Sequence, residues 1–218
     1  MFQNLHLQSL EKYLFYQRNK RGGYKLGHKI ALISPAGGGK DFIADHLGVK
    51  YGFERYAFAD EVRAVAKKWF PEIYGDGSKK SRELLQQIGT MFREIDPDVW
   101  VKALFKNMDE EANERKRLRY ATEHIVVTDC RMPNEYIALK NRGFTFIKIE
   151  VDSEERMKRL IERGDVFSED NLKHQTESHY DEFICDYFMH NQGSKEDAYY
   201  SVNEIVEAII KGAEQNVN

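Results

Sequence analysis

Residues 34–41 read Ser-Pro-Ala-Gly-Gly-Gly-Lys-Asp and follow the apolar run Ile30-Ala31-Leu32-Ile33. Between a strand and a helix, such a loop suits a polyphosphate. Gly37, Gly38 and Gly39 let the backbone approach closely and turn its N–H groups inward. Lys40 supplies positive charge to β- and γ-phosphates, and the helix that follows aims its positive end at the same place. Two positions depart from the pattern G-x-x-x-x-G-K-[ST]: Ser34 replaces the first glycine, and Asp41 replaces the hydroxyl residue that ligates Mg²⁺. Ser34 is tolerable if its backbone angles are ordinary. A carboxylate beside phosphates is repelled unless a cation lies between them. Asp41 therefore either reaches Mg²⁺ through a water or caps the helix N-terminus, where negative charge is favoured. A glycine-rich turn with a surface lysine is the alternative to both.

Asp129 closes a second apolar run, Ile125-Val126-Val127-Thr128. Lys40 and Asp129 both stand just after a strand, on the edge where parallel sheets bind ligands. Asp129 is thus a candidate second metal-side group; the alternative is a polar residue that merely ends a buried strand. Arg131, two positions on, belongs near that phosphate edge or in a salt bridge with Glu135. Arg82 and Gln86 are four apart, so one helix face can offer an arginine and an amide to a single acceptor, or simply be solvated. Arg156, Arg159 and Arg163 share another helical face, among glutamates.

The elements that must hold these residues alternate. The strands expected are 29–33, 56–59, 125–128, 144–151 and 187–190. The helices are one through Phe42, Ile43 and Leu47 that stops at Gly48, then 61–69, 79–93, one starting at Asp96-Pro97 with Asp96 as N-cap, one opened by a capping box of Asp152 and Glu155, and a closing helix over 196–213. Val101, Leu104, Phe105 and Met108 form the buried face of the fourth helix, and Met157, Leu160 and Ile161 that of the fifth. The charge run 109–119 reads as a solvated face or loop, with Glu111 and Arg115 set for an i,i+4 pair. Strands alternating with helices give an α/β domain with a parallel sheet. Residues 2–20 form an amphipathic helix through Leu7, Leu10 and Leu14, closed by Gly22-Gly23. It serves either to dock or dimerise, or only to pack. The domain reading is a 1–27 helical extension before a 28–218 core.

With 33 basic and 36 acidic residues the net charge is −3, which does not favour nucleic acid or an anionic membrane as partner. Cys130 and Cys185 are too few for a disulfide framework and fit a reducing compartment. No apolar run reaches the roughly 20 residues that span a bilayer, and the N-terminus is too polar for a signal peptide. A cytoplasmic protein is the expectation.

Four blocks in order carry a resemblance: GGGKD (37–41), RELLQQIGTMFREIDPDVWV (82–101), VTDCRMPNE (127–135) and HQTE followed by DYFMHNQGS (174–177 and 186–194). Together they resemble the phage-type deoxynucleoside monophosphate kinases, within the P-loop nucleoside monophosphate kinase group. The second block matches R-x-x-L-Q-x-x-G-T…D-x-W-V through Arg82, Leu85, Gln86, Gly89, Thr90, Asp98, Trp100 and Val101. The third matches D-x-R-x-P-N-E through Asp129, Arg131, Pro133, Asn134 and Glu135. That family shares the aspartate after the lysine; the departure is Phe42, where it usually offers threonine.

The resemblance spans residues 29 to about 210 and implies a three-layer α/β/α P-loop kinase fold with a five-stranded parallel sheet, a helical acceptor-binding insertion and a short lid. It implies phosphoryl transfer from ATP, with Mg²⁺, to a deoxynucleoside monophosphate, in the host cytoplasm if the gene is a phage's. Lys40, Arg131 and Asp129 are then the catalytic candidates. Ala36, Gly37, Gly38, Gly39, Lys40, Asp41 and Arg159 are expected to bind ATP. Arg82, Gln86, Thr90, Trp100 and Arg131 are expected to bind the acceptor, and Asp41 and Asp129 to face the metal. Residues 164–179 fit the lid, His174 and Glu177 fit the family's H-x-[ST]-E, and 191–194 lie where adenine packs. A homodimer stays open. Another small-molecule P-loop kinase, of the phosphomevalonate kinase type, and a non-catalytic nucleotide-binding module are the competing readings.

Overall fold

A computed structural model describes residues 27–75, 79–118, 124–162, 179 and 181–215. The elements, in order, are β1 (Lys29–Ile33), α1 (Lys40–Tyr51), β2 (Phe53–Tyr56), α2 (Phe58–Trp69), α3 (Pro71–Tyr74), α4 (Lys79–Ile95), α5 (Val99–Arg117), β3 (His124–Val127), α6 (Pro133–Asn141), β4 (Thr145–Glu150), α7 (Ser153–Glu162), β5 (Tyr187–His190) and α8 (Lys195–Gln215). The N-terminal helix expected over 2–20, Arg163, the expected lid up to residue 178, His174 and Glu177 lie outside the described residues.

The five strands are all parallel, in the order β2-β3-β1-β4-β5. β1 takes the centre because Ile30, Ala31, Leu32 and Ile33 are apolar on both faces, as a strand covered on both sides must be. Ala31 and Ile33 look into one core, with Phe58, Val62 and Ala66 of α2, Ile88 of α4, Trp100, Val101, Leu104 and Met108 of α5 and Leu139 of α6. Ile30 and Leu32 look into the other, with Ile43, Ala44 and Leu47 of α1 and Ala198, Val202 and Val206 of α8. Helices on both faces of a five-stranded parallel sheet make three layers. The chain leaves β1 toward β2 and leaves β4 toward β5, so the crevice beyond their carboxyl ends is the topological switch point, the favoured ligand position in such sheets.

Several boundaries differ from the sequence reading. α1 runs past Gly48 to Tyr51 and is closed by Gly52 at φ 74°, whose N–H donates to Gly48 O at 3.1 Å. The second strand lies at 53–56, three residues before its expected place, and α2 begins at Phe58. α5 begins at Val99, with Asp98 in the cap position. Asp96 instead accepts the Asp98 N–H at 3.1 Å and Lys102 Nζ at 2.6 Å, forming a turn before the helix. The charge run continues α5 to Arg117. Its charges reach other elements, Glu111 taking Tyr56 OH at 2.6 Å and Arg115 lying 3.7 Å from Glu54. α6 was not anticipated, although Pro133 at its first turn and Glu135 two residues on are ordinary start signals. On α7 Leu160 is buried, but Ile161 is exposed. Among the described residues no helix is long and apolar enough to cross a membrane.

Candidate active site

The phosphate-type loop joins β1 to α1 at the switch point. Gly37 and Gly39 adopt φ 81° and 90°, in the left-handed region that side chains resist. Gly38 N–H donates to Pro35 O at 3.1 Å. A Cβ on Gly38 would stand 1.6 Å from Ser34 Oγ. A side chain at 38 would therefore force the Ser34 hydroxyl to turn away, with Ser34 Cβ at 3.0 Å and Pro35 O at 3.1 Å leaving little room. Lys40 is buried, and its Nζ donates to Ser34 O at 3.0 Å and Pro35 O at 3.1 Å. The loop thus holds a cation against its own carbonyls, ready to exchange them for anionic oxygens. From the end of β5, buried Asn191 donates through Nδ2 to Gly38 O at 3.0 Å.

Asp41 lies in the first turn of α1 with its side chain 70% exposed and 3.6 Å from Arg55 Nε. No side-chain cap bond forms at that helix N-terminus. Arg55 also meets Asp60 at 3.3 Å, and Asp60 meets Arg63 at 2.7 Å, so Asp41 is one end of a charge chain running from α1 across β2 to α2. Phe42 faces α8. Its ring stacks on Tyr199 with centroids 4.8 Å apart, and Lys195 Nζ lies 5.6 Å from the ring centroid. The departure at residue 42 thus belongs to the α1–α8 contact.

Asp129 accepts the N–H groups of Phe58 at 2.7 Å and Ala59 at 2.8 Å, one on each oxygen, and so holds the start of α2. Burial raises its pKa; the two amides and the nearby Arg131 and Arg63 oppose that rise without cancelling it. Glu135 is buried and does the same for α6. Its Oε2 accepts the N–H groups of Arg131 at 2.9 Å and Met132 at 3.0 Å, while Arg93 Nη2 approaches Oε1 at 3.3 Å. Burial pushes the Glu135 carboxyl up to about 7. Asn134 Nδ2 donates to Pro97 O at 3.0 Å and Asp98 Oδ1 at 2.9 Å. The D-x-R-x-P-N-E block is therefore largely a fastening: from one strand end it ties down α2, α4, α5 and α6. Arg131 is half-buried in that turn, its backbone N–H held by Glu135.

On α4, Arg82, Gln86, Gly89 and Arg93 fall along one stripe at helical spacing, Arg82 and Gln86 being half-buried. Arg93 Nη1 donates to Gly89 O at 3.3 Å, and Trp100 Nε1 reaches the same carbonyl at 3.1 Å. Trp100 lies in the core, 3% exposed, and fixes α5 to α4; Thr90 is exposed on the neighbouring side. Arg93 was missed in the sequence. The signal for it was its place on the Arg82–Gln86 stripe, at helical spacing.

α7 lies over the loop. A Cβ on Gly37 would stand 2.8 Å from Leu160 Cγ and 3.0 Å from Arg156 Cγ. Arg156 Nε is buried and has no hydrogen-bond partner among the described residues. Arg159 donates through Nε to Glu155 at 3.0 Å and through Nη2 to Asn191 O at 2.9 Å.

The loop's left-handed glycines, its buried lysine and the packed floor beneath Gly38 fit a polyphosphate. Among the described residues no group of three or more histidine, cysteine or carboxylate side chains could hold a metal ion. Mg²⁺ does not need one, since one or two carboxylates plus phosphate oxygens and waters suffice. A separate cleft of about 180 Å³ lies between β2, α2 and α5, lined by Glu54, Asp60, Glu61 and Glu111 among others.

No protein-family model matches the sequence, and no curated protein does. Solved structures do match. Shikimate kinase from Acinetobacter baumannii, in complex with shikimate, has a TM-score of 0.52 at 17% identity over 85% of this chain and 96% of that one. TT1252 from Thermus thermophilus gives 0.54 at 19% identity over 84% and 98%. A gluconokinase from Sinorhizobium meliloti 1021 gives 0.53 at 12% identity over 89% and 99%. At these identities the likeness is one of fold, and the fold is that of the P-loop kinases.

Proposed function

We propose that this chain transfers the γ-phosphoryl group of ATP to a deoxynucleoside monophosphate, giving the diphosphate. The observation that carries the reading is the interlock of two sequence blocks far apart in the chain. Trp100 bonds Gly89 O within the insertion; between the two blocks, Arg93 bonds Glu135, and Asn134 bonds Asp98 and Pro97 O. These bonds join the helical insertion bearing Arg82 and Gln86 to the strand end bearing Asp129 and Arg131, beside the phosphate loop. A transfer of this kind needs mainly positioning and positive charge around the moving group.

In this reading the amides of residues 36–41 cradle the ATP phosphates. Lys40 leaves the carbonyls of Ser34 and Pro35 for the β- and γ-phosphate oxygens and neutralises charge there. Arg131, and Arg156 above Gly37, supply further positive charge at the phosphate edge. The Arg82 guanidinium clamps the acceptor phosphate, and the Gln86 amide reads the base edge. Mg²⁺ would supply neutralising charge at the phosphates, and in this reading Asp41 and Asp129 are the carboxylates that would hold it, directly or through water. For Asp129 that role is shared with the capping of α2.

The test is ADP release with a panel of deoxynucleoside monophosphates, and with acceptors of the shikimate, gluconate and phosphomevalonate type. Turnover with a nucleotide carries the proposal; turnover only with another acceptor overturns it in favour of a second reading. That second reading, a P-loop kinase of another small molecule, is favoured by the likeness to shikimate kinase and gluconokinase. Tight ATP binding without any acceptor-dependent turnover marks a nucleotide-binding module.

A further inference from the structure

Asn191 makes three hydrogen bonds to three different elements. Its backbone N–H donates to Glu150 O at 2.8 Å, at the end of β4. Its backbone carbonyl accepts Arg159 Nη2 at 2.9 Å, from α7. Its side-chain amide donates to Gly38 O at 3.0 Å, within the phosphate loop. The side chain is buried, and the contact is close enough that a Cβ on Gly39 would stand 2.4 Å from Asn191 Nδ2. Glycine at 39 is therefore required twice, by its φ of 90° and by the approach of Asn191.

The consequence is a matter of peptide geometry. In a trans peptide the carbonyl and the following N–H point in opposite directions. Holding Gly38 O against β5 turns the Gly39 N–H the other way, out of the loop's supporting wall. That N–H belongs to the N-cap residue of α1, at the positive end of the helix, where an anion gains most. Without the amide donor, nothing among the described contacts of Gly38 O fixes that peptide. The peptide lies between two glycines, Gly38 and the left-handed Gly39, whose backbones resist its rotation least.

We propose that Asn191 is a positioning residue for nucleotide binding. It fixes the Gly38–Gly39 peptide with its N–H toward the phosphates, and Arg159 ties that grip to α7, so the seating of α7 and the readiness of the loop are coupled. The proposal rests on the reading of the loop as an ATP site. Arg159 acts here through Asn191, as a second positioning residue.

The experiment measures adenosine diphosphate affinity by calorimetry in the full chain, alongside thermal melting and the KM values of ATP and of the acceptor. Asn191→Ala is expected to weaken nucleotide binding by about tenfold, the effect of losing one buried orienting hydrogen bond, and to raise the KM of ATP while leaving that of the acceptor. Asn191→Asp sets a carboxylate against a carbonyl and should bind more weakly still at pH 8. Because a protonated carboxyl can donate as the amide does, N191D should regain affinity as pH falls toward 5, where N191A does not. Arg159→Gln should weaken binding less, and its effect should not add to that of N191A.

Nucleotide affinity unchanged in N191A overturns the proposal. So does a fall in melting temperature with both KM values rising together, which would make Asn191 only a fastener of β5. Should N191A fail to fold, N191D decides, since weak nucleotide binding at pH 8 that recovers toward pH 5 supports the donor role and unchanged affinity at pH 8 overturns it. A wild-type chain that binds no adenine nucleotide removes this proposal and the reading beneath it together, whereas wild-type binding matched by the variants removes this one alone.

Discussion

Arg93 and Glu135 meet where the helical insertion joins the sheet, Nη2 lying 3.3 Å from Oε1 of a carboxyl that is 2% exposed. The same carboxyl holds the amides of Arg131 and Met132. One buried acid thus anchors both the turn that carries Arg131 and the helix that carries Arg82 and Gln86.

That burial has a pH signature. The Glu135 carboxyl rises from 4.5 to about 7 in the folded chain. Between those values the folded state holds a proton that the unfolded state has released, so stability falls as pH rises through the window from about 4.5 to about 7. Asp129, also raised by burial, adds in the same direction. The melting temperature should therefore decline from pH 5 to pH 7.5, and Glu135→Gln, which keeps an acceptor oxygen but does not titrate, should flatten much of that decline. Equal slopes for the two proteins would remove Glu135 as the source.

Lys40→Ala should lower turnover by several orders of magnitude and leave the fold intact. The charge acts on the group in transfer, where such electrostatic terms are worth roughly 3–4 kcal/mol each. Single-turnover rates and circular dichroism on the same preparation check it. A folded variant with near-normal turnover takes Lys40 out of the mechanism.

Asp129→Asn separates two roles. Each Asp129 oxygen accepts an amide N–H of α2, and an asparagine NH₂ would face one of those donors. The expected loss of stability is about 1–3 kcal/mol, the cost of an unsatisfied buried donor. If Asp129 also faces the metal, the Mg²⁺ concentration for half-maximal rate rises as well. A stability loss with unchanged Mg²⁺ dependence leaves Asp129 as a helix cap alone.

The phosphate loop was legible because its chemistry and its backbone demand the same residues: glycines at left-handed angles followed by lysine. The central strand was legible because Ile30 to Ile33 are apolar without interruption. The strand at 53–56 was misplaced because it is an edge strand. Glu54 and Arg55 there are half-exposed and charged, so it lacks an apolar run. At Phe42 the sequence shows a departure from threonine but not the residue it packs on, Tyr199 of the neighbouring helix. The fastening roles of Asp129, Asn134 and Glu135 were hidden for the same reason. Their partners, Phe58, Pro97, Asp98 and Arg93, are 36 to 71 residues away.

The acceptor site offers the most specific test. Arg82 and Gln86 share the α4 stripe that ends in Arg93, and Arg93 is bound to the strand end beside the phosphate loop. An arginine fork clamps a phosphate in two bonds, and a glutamine amide can read a base edge. Contacts that act equally on ground and transition states appear in KM, and contacts made only in the transition state appear in kcat. The acceptor phosphate is held throughout, so Arg82→Ala should chiefly raise the acceptor's KM, by roughly tenfold or more for a charge-assisted pair. The KM of ATP should barely move. Arg82→Lys should restore only part of the loss, because an ammonium cannot form the fork. Gln86→Ala should reorder the preference among bases at similar total activity. Steady-state kinetics at saturating ATP, then at saturating acceptor, separates these outcomes. If Arg82→Ala weakens ATP and spares the acceptor, the acceptor lies against a different helix.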